Sequence, residues 1–288
     1  MTTTTTITAT QTEFIPFGDV VAELNFYSAP ADGSSPYNYI GIPPPGMEQS
    51  NVGIDPKSIT IYDLRGNESK LSLDKEAFSF HTIPSSLTYG DFDNEEKIRS
   101  IYYPEIKDIV RKHVSGAKEV IIFDHTIRRS GPNAESTVQR VHIDQTTKSG
   151  ELRLRRYLTP ERVQEVLKKN IRFQIVNIWR PINGAVVSYP LAFADSSTVA
   201  DDDIVGVAHI YPDYEGQTAG VKYNPNQKWW YASGIKNDEV TLIKCFDSWT
   251  GESGERRRAP HSAFVHPNTP AGAKGRESIE VRCLIVGE

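Results

Sequence analysis

Val141-His142-Ile143-Asp144-Gln145-Thr146 sets a histidine and an aspartate two positions apart near the middle of a 288-residue chain. In an extended strand the side-chain period is two, so His142 and Asp144 point to the same face. An imidazole and a carboxylate side by side on a rigid element are two of the three donors of a mononuclear iron site. There, two histidines and one carboxylate leave positions open for substrate and dioxygen. The rest of the chain has to supply a third donor and a cosubstrate anchor.

Composition allows a folded enzyme and narrows its class. Hydrophobic residues make up 38% and aromatics 10%, enough for a sizeable core, and 24% charged residues argue against wholesale disorder. Twenty glycines and 18 prolines suit a loop-rich β fold better than a helical bundle. The net charge is −5, and the one dense basic run is Arg256-Arg257-Arg258, read as a solvated loop, so no nucleic-acid partner is expected. Cys245 and Cys283 lie in apolar, strand-like runs and read as buried free thiols, not a disulfide framework or a zinc motif. Met1 to Thr6 carries no basic n-region or apolar h-region, and no stretch approaches the roughly 18 apolar residues of a membrane span. The expectation is a cytoplasmic protein without a membrane partner. Residues 1–14 read as a disordered tail and 15–288 as a single domain.

Along the chain, Ser58 to Leu64 alternates as a strand, and a helix runs from Asn94 to Gly116, broken or restarted at Pro104. Val120 to Phe123 reads as a buried strand. Thr159 and Pro160 open a second helix as N-cap and first residue. Arg172 to Arg180 is the clearest strand. Val240 to Phe246, His261 to Val265 and Arg276 to Val286 follow as further strands. Residues 196–240 read as loop material around Trp229-Trp230-Tyr231, an insertion or lid. His266, beside Pro267, reads as solvent-facing. Many strands with few flanking helices predict a mainly β fold with a barrel or sandwich core.

Of the seven histidines only His142 has an acid two positions later. Downstream, His209, His261 and His266 are candidates for the third donor. His261 opens a strand and is followed, after a loop, by a second strand beginning Arg276-Glu277-Ser278. If those strands are adjacent and antiparallel, Arg276 and Ser278 stand beside the metal. A guanidinium and a hydroxyl there can hold the far carboxylate of 2-oxoglutarate. Each element also has an ordinary reading: His-x-Asp as a hydrogen-bonded pair, and Arg276 as a surface ion-pair partner of Glu277 or Glu280.

The order His142-x-Asp144, then His261, then Arg276-x-Ser278 resembles the Fe(II)- and 2-oxoglutarate-dependent oxygenases of the double-stranded β-helix (jelly-roll, cupin-like) fold. More narrowly, the chain is similar to a microbial biosynthetic group that includes proteins described as gibberellin desaturases and cephalosporin methoxylase small chains. Asn177-Ile178-Trp179-Arg180-Pro181 and Lys244-Cys245-Phe246-Asp247-Ser248 share in that likeness, which spans residues 15–286. The resemblance implies iron on His142, Asp144 and His261, 2-oxoglutarate on Arg276 and Ser278, and O2 as oxidant. Arg180, Tyr223 and Arg282 are further candidates for cosubstrate or substrate binding, with Arg282 as the fallback anchor. It implies C–H activation of a small natural-product intermediate, with release of succinate and CO2. Two other readings stay open: a cupin-like iron enzyme independent of 2-oxoglutarate, and a non-catalytic partner subunit. Substrate identity and oligomeric state leave no motif.

Overall fold

A computed structural model describes residues 14–130, 138–249 and 258–287. Apart from Phe14, the expected N-terminal tail lies outside the described residues, as do Arg256 and Arg257 of the basic run. The described strands, in chain order, are β1 (Val20–Ser28), β2 (Tyr37–Tyr39), β3 (Gly53–Asp63), β4 (Phe78–Thr82), β5 (Glu119–Arg128), β6 (His142–Ile143) and β7 (Phe173–Pro181). They continue as β8 (Leu191–Ala194), β9 (Ile204–Ile210), β10 (Glu215–Val221), β11 (Trp229–Tyr231), β12 (Glu239–Asp247), β13 (His261–Ala263) and β14 (Ser278–Val286). They form a large sheet in the order β1-β3-β11-β8-β13-β6-β10-β9-β2 and a small one in the order β4-β12-β7-β14-β5. The two sheets face each other as a jelly roll, the fold that the likeness implied.

The small sheet is sandwiched. Its strand β7 is buried at every position between antiparallel neighbours β12 and β14. Phe173, Ile175 and Trp179 on one face join Phe193 and Ala263 of the large sheet in the main core. The Phe78 ring stacks on Phe193 across the gap at 5.3 Å. On the other face Val176 and Ile178 pack with Ile106, Ile109 and Val110 of helix α1 (Tyr103–His113). Pro104 sits in the first turn of α1, after a π-turn over Ile98–Tyr102, so the helical stripe passes the proline without a break. Thr159 caps α3 (Pro160–Lys168) through its hydroxyl, as its sequence indicates. No described helix is long and apolar enough to cross a membrane.

Several local expectations are corrected. Val141 to Thr146 is a strand for only two residues, because Thr146 and Ser149 form a capping box that starts helix α2 (Thr147–Tyr157). The sequence reading missed α2, whose glycine lets it press on the core: a Cβ on Gly150 would stand 2.5 Å from the Phe246 ring. Residues 196–240 are not mainly loop. They carry β9, β10 and β11, paired within the large sheet. Strand β5 is the edge of the small sheet and only half-buried over most of its length. His266 faces inward: it is 1% exposed and packs against Tyr231. Cys245 and Cys283 are buried free thiols, as read.

Candidate metal centre

Strand β6 lies between β13 and β10, and His142 sits directly opposite His261 in the antiparallel pair. Directly opposed residues bring their Cβ atoms to about 5 Å, and the two imidazole centroids are 4.4 Å apart. Val141 and Ile143 turn the other way, into the apolar cluster with Leu24, Phe26 and Trp229. This buried alternation fixes the register and turns His142 into the cavity. Asp144 follows where the strand ends. Its Oδ1 is 3.4 Å from His142 Nε2 and 4.0 Å from His261 Nε2. One donor atom from each residue falls within 4.8 Å of the others.

Backbone and neighbours orient all three groups. His142 Nδ1 donates to the Arg140 carbonyl at 2.7 Å, and His261 Nδ1 donates to the Ala259 carbonyl at 3.0 Å. Each Nε2 is thereby left free to face the centre. Asp144 Oδ2 accepts from Asn177 Nδ2 at 2.6 Å and lies 3.6 Å from Arg282 Nε. Burial pushes the His261 pKa down to about 4, helped by the neighbouring His142. Burial also opposes a charge on His142, but the Asp144 carboxylate wins and raises its pKa. Burial would raise the Asp144 pKa, yet hydrogen bonding from His142 and the nearby His261 and Arg282 hold it well below the usual carboxylate value. The donor set is an anionic carboxylate and two histidines, the chemistry a divalent iron takes.

A cavity of about 590 Å³ opens over this triad. Arg276, Ser278, Glu280 and Arg282 all line it, following the period of two along β14 and the residues before it. Arg276 and His261 do not lie on adjacent strands, as the sequence suggested; β13 belongs to the large sheet and β14 to the small one. The anchor candidate thus faces the metal candidates across the barrel. Arg276 is buried, its guanidinium 5.4 Å from the centroid of the Trp179 ring, and Nη1 donates to the Tyr189 carbonyl at 2.6 Å. Its buried Nε has no partner. Burial lowers the Arg276 pKa to about 10, the mark of a cation short of a counter-charge. A chelating dicarboxylate with one end at the triad fits this orphaned donor.

The other arginine on β14 is committed elsewhere. Arg282 pairs with Glu280 at 2.6 Å and Asp124 at 3.1 Å and backs the Asp144 carboxylate, so it braces the triad and is not free as an anchor. Arg180 is remote from this cavity's lining: it donates to the Tyr102 hydroxyl and the Asn237 carbonyl on the α1 side of the small sheet. Tyr223 packs edge-on against Phe26 at 5.3 Å and does not line the cavity. His209 does line it, bonded to Thr218 at 3.0 Å, but stands outside the cluster of three. Sequence reading missed Asn177, Trp179 and Arg140. A polar side chain on the apolar face of the clearest strand was the available signal for Asn177.

Residues 24–286 match the family model described as Oxidoreductase/YMDC permease-like domain. The chain is 32% identical to the hydroxylase/desaturase poxK of Penicillium oxalicum, over 95% of this chain and 93% of that protein. It is 30% identical to the Fe(II)/2-oxoglutarate-dependent dioxygenase nvfI of Aspergillus novofumigatus, over 92% and 96%. The chain belongs to the Fe(II)/2-oxoglutarate-dependent hydroxylase/desaturase family. The solved iron and alpha-ketoglutarate-dependent endoperoxidase NvfI superimposes on the oxygenase with a TM-score of 0.81 at 26% identity, covering 94% of this chain and 98% of that one. The oxygenase is thus an iron- and 2-oxoglutarate-dependent oxidoreductase that uses O2 on small molecules of secondary metabolism.

Proposed function

We propose that His142, Asp144 and His261 hold the iron, that Arg276 and Ser278 take the far carboxylate of 2-oxoglutarate, and that a small natural-product intermediate fills the remaining cavity. Arg276 carries this reading. A guanidinium buried against Trp179 with an unpartnered Nε is costly as it stands. A bidentate carboxylate offsets that cost, and a cosubstrate chelating iron at the triad presents one there. When bound, iron and 2-oxoglutarate would supply the means to activate O2: one oxygen atom would pass into succinate as 2-oxoglutarate loses CO2, and the other would be available to oxidise a substrate C–H bond. The protein's residues orient and seclude. The carbonyls of Arg140 and Ala259 fix the imidazoles. Asn177 and Arg282 occupy the outer oxygen of Asp144, leaving the inner one for the metal. Trp179 and Leu191 add apolar surface to the cavity, Trp179 beside Arg276.

Relatives similar in sequence are named hydroxylase/desaturase, and the solved structure that shares the fold is named an endoperoxidase. The outcome at the substrate, hydroxylation, desaturation or ring formation, therefore rests on substrate pose. The deciding measurement is anaerobic titration with Fe(II), then 2-oxoglutarate. His142→Ala and Asp144→Ala should lose iron binding and all succinate release. Arg276→Met should keep iron and lose about 10–100-fold in 2-oxoglutarate affinity. Unchanged 2-oxoglutarate binding in Arg276→Met would favour a cupin-like iron enzyme instead.

A further inference from the structure

A second guanidinium in the cavity lacks a counter-charge. Arg140 stands two positions before His142 and lines the same space. Its backbone is fixed at the site: its carbonyl orients His142, and the residue bridges Asn25 of β1. Its side chain is half-buried, yet its single hydrogen bond runs from Nη2 to the Val52 carbonyl at 3.4 Å, near the limit of useful length. Among the described residues no carboxylate pairs with it. Of the other arginines that line the cavity, Arg276 faces the cosubstrate end and Arg282 is satisfied by Glu280 and Asp124. The wall beside Arg140 combines apolar Val52, Ile54 and Val207 with the amides of Asn25 and Asn38. Arg140 belongs to the large-sheet side, whereas Arg276 reaches in from the small sheet.

We propose that Arg140 binds a carboxylate of the substrate, so that this enzyme oxidises an amphipathic acid. The proposal rests on the functional reading above and adds the substrate class to it. Two arginines then divide two acids, Arg276 for the cosubstrate and Arg140 for the substrate. About 7 Å of strand separate the Cα atoms of Arg140 and His142, so the oxidised carbon lies several bonds from the acid group. The apolar wall receives the hydrocarbon between them.

Decanoate and methyl decanoate test this directly, because a flexible chain can follow the apolar wall from Arg140 toward the triad. Both are titrated by calorimetry into the anaerobic Fe(II)·2-oxoglutarate protein. Wild type should bind decanoate at least about tenfold more tightly than the ester, a difference of about 1.4 kcal/mol. Arg140→Met should abolish that preference and Arg140→Lys should keep part of it, with 2-oxoglutarate affinity unchanged in both. Equal or absent binding of the two probes by wild type overturns the proposal, as does a preference that survives Arg140→Met. If Arg140→Met instead weakens 2-oxoglutarate binding, the residue serves the cosubstrate and the proposal fails. If wild type binds no 2-oxoglutarate, the functional reading fails, and the same probes on the protein without 2-oxoglutarate still test Arg140. Thermal melts establish that each variant is folded.

Discussion

Asp144 shows how two oxygens of one carboxylate are given different tasks. Oδ1 faces the histidines, while Oδ2 is held by Asn177 and faces Arg282. Asn177→Ala should therefore lower iron affinity about 10–100-fold, as read by competition with a chelator dye. Arg276→Lys should raise the KM for 2-oxoglutarate by about tenfold or more, because an ammonium cannot form the planar fork or stack on Trp179. Steady-state succinate release at varied 2-oxoglutarate checks this. The three candidate donors were legible because spacing and order are properties of the chain. Asn177 and Arg282 were not, because their meaning depends on which face of the small sheet meets Asp144. Arg180 misled for the same reason: its strand was right, but its neighbours Tyr102 and Asn237 come from distant segments.

Among the elements, strands with a clear apolar pattern, such as β7 and β14, and the short β13 could be read directly, and those without one could not. Strand β6 has two residues, and its pairing with β13 and β10 gives it a place. Strand β10 escaped detection because its two glycines and its threonine suggest turns, and β9 and β11 were lost in the turn-rich segments around them, while the sheet supplies the order. Helix α2 was hidden by Gly150, which reads as a breaker but serves as a contact with Phe246. Gly150→Ala should force that ring aside at about 1–3 kcal/mol, lowering the melting temperature by several degrees in a thermal melt. Gly220, paired with His142, is similarly constrained: a Cβ there would stand 2.7 Å from the Tyr27 ring.

The whole molecule is two sheets with a site between them, and ligands should tie the halves together. A metal and cosubstrate that bind only the folded state stabilise it by mass action, about 2.7 kcal/mol for each at a concentration 100 times its Kd. Differential scanning calorimetry under nitrogen should show one rise in melting temperature with Fe(II) and a second with 2-oxoglutarate. Arg276→Met should lose the second rise and keep the first.

The candidate metal donors hang from the large sheet or its edge, and the arginine anchor leads into the small one. On the proposed assignment the length of the cosubstrate is matched to the spacing of the sheets, and the cavity acts as a calliper. Phe78 and Phe193 help set that gap. Phe193 itself lies against His261 at 6.4 Å, whereas a substitution at Phe78, on the small sheet away from the donors' strands, changes the jaw width. It should move 2-oxoglutarate affinity while iron affinity, measured within a single jaw, stays where it was.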